Sequence, residues 1–227
     1  MLNDNARGDR IPLTGKVNFT MMYAAHDAFT RDLKRLTAAV EAGKTADPAV
    51  RAGWAMFKNQ LHIHHTAEDT SLWPVLRGRV TRHDDVAVLD AMEDEHARID
   101  PQLESVDKAL AASDAVSLAE SVQALGTGLD AHMRHEENKA LPLIETFLGP
   151  DGWAAFGRAI RKTQGIRSGA EYLPWVLDDA PIAAQAKVLG LLPPPVRLLY
   201  RLLWAPKYRR IRGGTATPAV KRKPPTM

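Results

Sequence analysis

Apolar residues recur along this chain at alternating three- and four-residue steps, in four long stretches. In the first, Met22, His26, Phe29, Leu33, Leu36 and Val40 follow that rhythm. Such steps place side chains on one face of an α-helix, so a helix is predicted from about Asn18 to Gly43, the residue that ends it. Asp47-Pro48 predicts a restart, with Asp as N-cap and Pro in the first helical position. The second stripe runs Trp54, Phe57, Leu61, His64, Glu68, Leu72 and Val75, and Pro74 is predicted to kink or loosen its last turns. A third helix is predicted from Asp84 or Asp85, with Leu89, Met92, His96, Ile99, Leu103, Val106 and Leu110 inward. A fourth starts near Ser113 or Asp114, carries Val122, Leu125, Leu129, His132, Glu136, Ala140 and Leu143, and is closed by Gly149-Pro150. No convincing strand is found. Four helices joined by short turns predict an all-α fold, an up-down-up-down antiparallel four-helix bundle, followed by a helical C-terminal extension.

Each stripe carries a histidine where an apolar residue is expected. Two stripes add a glutamate one turn later, His64 with Glu68 and His132 with Glu136. On a helix that spacing puts imidazole and carboxylate on one face, about 6 Å apart. The order is lone His, His-Glu pair, lone His, His-Glu pair. His26 and His96 are 70 residues apart and the pairs 68 apart, as in a duplicated two-helix unit. One buried histidine is ordinarily a hydrogen-bonded core residue. Four of them, with two carboxylates and no Lys or Arg in the stripes, call for a cation, because an ionised buried Glu costs several kcal/mol unless paired. A metal pair meets that need; a His-Glu hydrogen-bonded network is the alternative. His65 is a further candidate ligand, about 60° round the helix from Glu68. His135, Tyr23 and Glu93 flank the stripes, while His62 and His83 read as surface.

Composition narrows the chemistry. There is no cysteine among the 227 residues, so thiolate zinc sites, iron–sulfur clusters and disulfides are excluded. Nitrogen and carboxylate ligands suit iron, with manganese or zinc as lesser alternatives. The first residues carry no apolar run and no stretch of about 18 apolar residues occurs, so neither a signal peptide nor a membrane-spanning helix is expected and the default location is the cytoplasm.

The residues His26, His64-x-x-x-Glu68 with Leu72-Trp73-Pro74, Glu95-His96, and His132-x-x-x-Glu136 with Leu141-Pro142 resemble the hemerythrin-like, HHE cation-binding family. The resemblance covers about residues 18 to 148. It implies two iron ions bridged by Glu68 and Glu136, with His26, His64, His96 and His132 as terminal ligands. It also implies O2, peroxide or NO as small ligands, in oxygen or iron sensing, oxygen carriage or peroxide handling. Oxygen carriers have one more His a turn before the position of His96, where Met92 stands, and an Asp five residues after the fourth-helix His. Those departures point away from simple oxygen carriage and toward redox chemistry. An oxygenase acting on a small organic substrate is the alternative enzyme reading.

Charge divides the chain. Residues 1–180 hold 20 Lys/Arg and 27 Asp/Glu, whereas residues 181–227 hold 10 Lys/Arg and no acid. The expected organisation is an irregular arm over 1–17, the bundle over 18–150, a helical extension over 151–205 and a basic disordered tail over 206–227. The helix over 196–204 is read as packing on the bundle, with peripheral membrane contact through 196–223 as the alternative. No specific nucleic-acid partner is expected, and the oligomeric state is left open.

Overall fold

The computed structural model describes residues 15–213; the expectations for residues 1–14 and 214–227 lie outside that range. Helix α1 spans Thr20–Glu41. Asn18 Oδ1 accepts the Thr20 N–H at 3.0 Å at its start, and Gly43 at φ +64° follows its end. α2 spans Pro48–Ser71, with Asp47 as N-cap accepting the Ala49 N–H at 2.8 Å. α2 stops three residues before Pro74, and a short α3, Trp73–Arg77, places that proline in its first turn. The restart rotates the inward face by one residue. Val75, expected in the stripe, is 50% exposed, and Leu76 takes its place in the core.

α4 spans His83–Ala112 and ends on Ser113 in the left-handed region. α5 spans Ala115–His135, with the Asp114 side chain accepting the Val116 and Ser117 N–H groups. It continues through a π-helical turn, Glu136–Ala140, the short α6, Leu141–Leu143, and a second π turn, Ile144–Leu148. Pro142 has no N–H to give to the ladder. The bonds just before it resettle to five-residue steps, and the Leu141 N–H donates to the Glu136 carbonyl. The wider turns shift the register, so Leu141 and Ile144 are buried and Leu143, expected inward, is only half-buried.

Among the described residues every regular element is a helix and there is no strand. α1 packs against α2 and α5, and α4 packs against α5. The apolar interior is in two parts. One cluster contains Phe29, Phe57, Leu61, Ile99, Leu125, Leu129 and Trp175. The other contains Phe19, Met22, Leu72, Trp73, Met92, Ala140 and Leu141. α1 passes from the second cluster to the first at His26, and α4 does so at His96. α2 passes from the first to the second through His64 to Glu68, and α5 through His132 to Glu136. The histidines and glutamates thus form a polar layer between two apolar ones.

The extension is tied into this core. α7 spans Gly149–Val176, broken at Gly165, whose φ of 67° takes it out of the helix. Near its end Trp175 is fully buried against the Phe29 ring, and its indole N–H donates to Asp32 at 2.7 Å. Arg31 donates to the carbonyls of Trp175 and Asp178, at 2.9 and 2.7 Å, and so satisfies end carbonyls that a helix leaves open. α8, Ile182–Gly190, adds Val188 to the first cluster. α9, Pro194–Leu199, runs through a π turn, Tyr200–Trp204, into α10, Ala205–Gly213. The disorder expected from residue 206 is therefore corrected over 206–213. Tyr208 packs on the core and Arg212 pairs with Asp178 and Asp179, so this basic stretch has partners that its composition does not reveal. None of the helices among the described residues is long and apolar enough to cross a membrane.

Candidate metal centre

The polar layer brings together all seven residues singled out in the sequence. His26, His64 and Glu136 offer ligand atoms within 4.8 Å of one another, and so do His65, His96 and His132. Glu68 lies between the two groups. Its Oε1 is 3.3 Å from His64 Nε2 and its Oε2 is 3.7 Å from His96 Nε2. One carboxylate thus turns one oxygen to each group. Glu68 and Glu136 are completely buried.

The outer nitrogens of three histidines are held by carboxylates. His26 Nδ1 lies 2.8 Å from Glu137, His96 Nδ1 2.8 Å from Asp69, and His132 Nδ1 2.9 Å from Glu95. Glu95 also takes His135 Nδ1 at 2.8 Å, which gives that residue a place behind the site. A carboxylate at Nδ1 fixes the proton there, orients the ring and leaves the Nε2 lone pair facing inward. The inward atoms of His96 and His132 come within 3.1 Å of each other. The His65 ring stacks on His96 at a centroid distance of 3.9 Å.

Inside the layer, apart from the His96–His132 contact, hydrogen bonding fails. His26 Nε2, His64 Nε2, His65 Nε2 and both oxygens of Glu68 and Glu136 are buried and have no hydrogen-bond partner. His26 Nε2 and Glu136 Oε2 approach to 3.0 Å, but without the alignment of a hydrogen bond. Each such atom costs about 1–3 kcal/mol when left unpaired. Seven of them converging on one spot is a donor set suited to metal: lone pairs in excess, protons turned outward. The hydrogen-bonded network read as the alternative in the sequence is realised on the outer side of the layer and, inside it, between His96 and His132.

Without a metal, protons take up part of the inward charge. Burial, followed by the nearby Glu136 and Asp69 charges, holds the Glu68 carboxyl well above the usual carboxylate range. Burial also acts to raise Glu136, but the opposing pull of His26, His64 and His132 brings it down to about 2. Burial would lower His26, yet Glu136 and Glu137 outweigh it and lift that imidazole to about 9. Burial and the neighbouring His26 push His64 down to about 3, and burial with His96 pushes His65 well below its usual value. His26 and Glu68 are thus held in their protonated forms, protons that a metal would displace, while unprotonated His64 and His65 are free to ligate.

The flanking candidates go elsewhere. Glu93 pairs with Arg77 at 3.2 Å, the Tyr23 ring sits against Phe19, and His83 is almost fully exposed. Sequence reasoning missed Asp69 and Glu137, each adjacent to a glutamate of the motif; a carboxylate next to a His-Glu pair is the signal that was there to read. On the α1 side Phe29 packs on His64, backed by Phe57 and Trp175. On the α2–α4 side a cleft of about 540 Å³ reaches His65 and His96, with Asn59, His62, Thr66 and Asp100 along it.

A helical fold with a buried layer of paired histidines and glutamates defines a cation-binding helical domain. A family model, the hemerythrin HHE cation binding domain, matches residues 17–144, more than half of the chain, and the protein belongs to that family. No curated protein matches the chain significantly, and no solved structure does.

Proposed function

We propose that the protein is a non-haem diiron protein that reacts with O2, peroxide or NO at the layer of histidines and glutamates. The observation that carries this reading is Glu68, with one unpartnered buried oxygen facing each of two three-residue groups. His26, His64 and Glu136 would hold one iron and His65, His96 and His132 the other, with Glu68 shared; Glu136, a second bridge by the resemblance, is grouped here with His26, 3.0 Å away, and His64. These four helices would form an up-down-up-down antiparallel bundle over 18–150, a reading supported by the alternating passage of α1, α2, α4 and α5 between the two apolar clusters. Iron bound there would supply reversible electron transfer to a small oxygen- or nitrogen-containing ligand.

The chain's own part is orientation and exclusion. Glu137, Asp69 and Glu95 keep the protons of His26, His96 and His132 on the outer nitrogens. Phe29, Phe57 and Trp175 close the α1 side to water. The cleft between α2 and α4 is the approach for whatever reacts. At about 540 Å³ it holds more than a diatomic gas, an observation that favours the second reading, an oxygenase acting on a small polar organic substrate.

The test uses iron-loaded protein prepared without oxygen and then exposed to air, peroxide or NO in turn. New near-ultraviolet or visible bands are expected with at least one of them, and oxygen release on adding peroxide identifies a peroxide-handling enzyme. A spectrum unchanged by all three rules out redox function at this site.

A further inference from the structure

Four leucines stand together outside the core. Leu198, Leu199, Leu202 and Leu203, in α9 and the π turn after it, are 57, 41, 64 and 58% exposed. The four leucines are exposed while Tyr200 and Trp204, interleaved with them, are half-buried, so the leucines share the outward side of the segment. Tyr200 packs against the first apolar cluster, and both aromatic residues are half-buried. The helix is thus already seated on the body by its aromatic face, and its leucine face is turned outward. Single exposed apolar residues are ordinary, but a contiguous group of this kind marks an interaction surface.

The surroundings identify the partner. Arg201, Lys207, Arg209 and Arg210 are exposed beside the leucines or in the following helix. Residues 181–227 hold ten Lys/Arg and no acid, whereas residues 1–180 carry a net −7. Asp178 and Asp179 are engaged by Arg35 and Arg212 behind this segment. An exposed apolar strip accompanied by exposed cations on its own segment complements a surface that is apolar beneath and anionic at its edge. We propose that α9, its π turn and α10 form a membrane-surface anchor that lies on an anionic bilayer. The leucines enter the boundary between headgroups and acyl chains, and the arginines and lysines meet the lipid phosphates. A nucleic acid would satisfy the cations and leave the leucines in water. An apolar partner protein would cover the leucines and make no use of the charge. Lying in the interface needs no spanning length, consistent with the absence of any spanning helix among the described residues. The inference does not depend on iron.

The test is sedimentation of the whole protein with vesicles of phosphatidylcholine alone and of phosphatidylcholine with phosphatidylglycerol. Binding is expected only to the phosphatidylglycerol vesicles and weakens as salt rises. The double variant Leu198→Asn/Leu202→Asn should bind at least about tenfold more weakly, with an unchanged thermal midpoint because both side chains face solvent. Arg209→Gln/Arg210→Gln should lose about tenfold or more. Should the leucine double variant unfold, Leu202→Ala alone provides the same comparison. Absence of binding at low salt overturns the proposal, as does a folded leucine variant that binds like the parent. Two further results overturn it by naming another occupant: a dimer that the leucine variant dissociates in the absence of vesicle binding, or DNA binding, without vesicle binding, that the leucine variant leaves intact.

Discussion

Glu68→Ala is expected to lose at least one of the two irons proposed for the layer. Both Glu68 oxygens are buried without a hydrogen-bond partner, and they face separate ligand groups at 3.3 and 3.7 Å. If Glu68 is the shared ligand proposed above, removing its side chain takes a ligand from each group at once and leaves His64 and His96 facing a small cavity. A site saturated at about a thousand times its Kd adds roughly 4 kcal/mol to the unfolding free energy. The variant should forfeit at least one such increment, seen as a smaller iron-induced rise in melting temperature. Glu68→Gln, which keeps the shape and removes the charge, should fail in the same way, because an amide is a poor shared ligand. Metal analysis after desalting reads the first effect, and thermal unfolding with and without iron reads the second. Full iron content in both variants would show that Glu68 is not a ligand.

Trp175→Ala is expected to destabilise the whole domain by about 3–5 kcal/mol, the usual cost of emptying a large aromatic site. Trp175 is fully buried, lies against Phe29, and bonds Asp32 on α1. Its loss also strips Asp32 of a donor and loosens the ring that covers His64. For a chain of this size, about 1 kcal/mol corresponds to 2–4 °C in Tm, so a drop of at least about 6 °C is expected in a single transition. A bundle that melts as before, with only a minor change from the extension, would contradict the view that α7 is part of the core.

These two residues mark what the sequence makes legible and what it hides. The stripes, the Asp47 and Asp114 caps and the histidine in each of the four stripes follow from local sequence signals, because local geometry alone decides them. Glu68 stands out for the same reason. Trp175 does not, because its burial depends on how α7 folds back over α1, a long-range contact with no local period. Register after Glu136 is also obscured: the π turns move Leu141 and Ile144 inward, and a fixed helical step cannot anticipate a change of step. His65 lies at the rim of its stripe in an ideal helix, and only the approach of α4 brings His96 against it. Asp69 and Glu137 look like surface acids in sequence, yet each, like Glu95 of the Glu95-His96 motif, reaches a histidine ring from outside the layer. The basic stretch before residue 213 is misread by composition because Arg212 finds its partners, Asp178 and Asp179, more than thirty positions earlier.

The central claim is that one layer of side chains holds two irons. Its most direct test is a ferrous iron titration of the purified chain without oxygen, followed by desalting and elemental analysis. The account predicts about two irons retained per chain, because two three-residue groups share one carboxylate. Retention of a single iron would contradict the shared-carboxylate pair, and retention of none would return the layer to a hydrogen-bonded core.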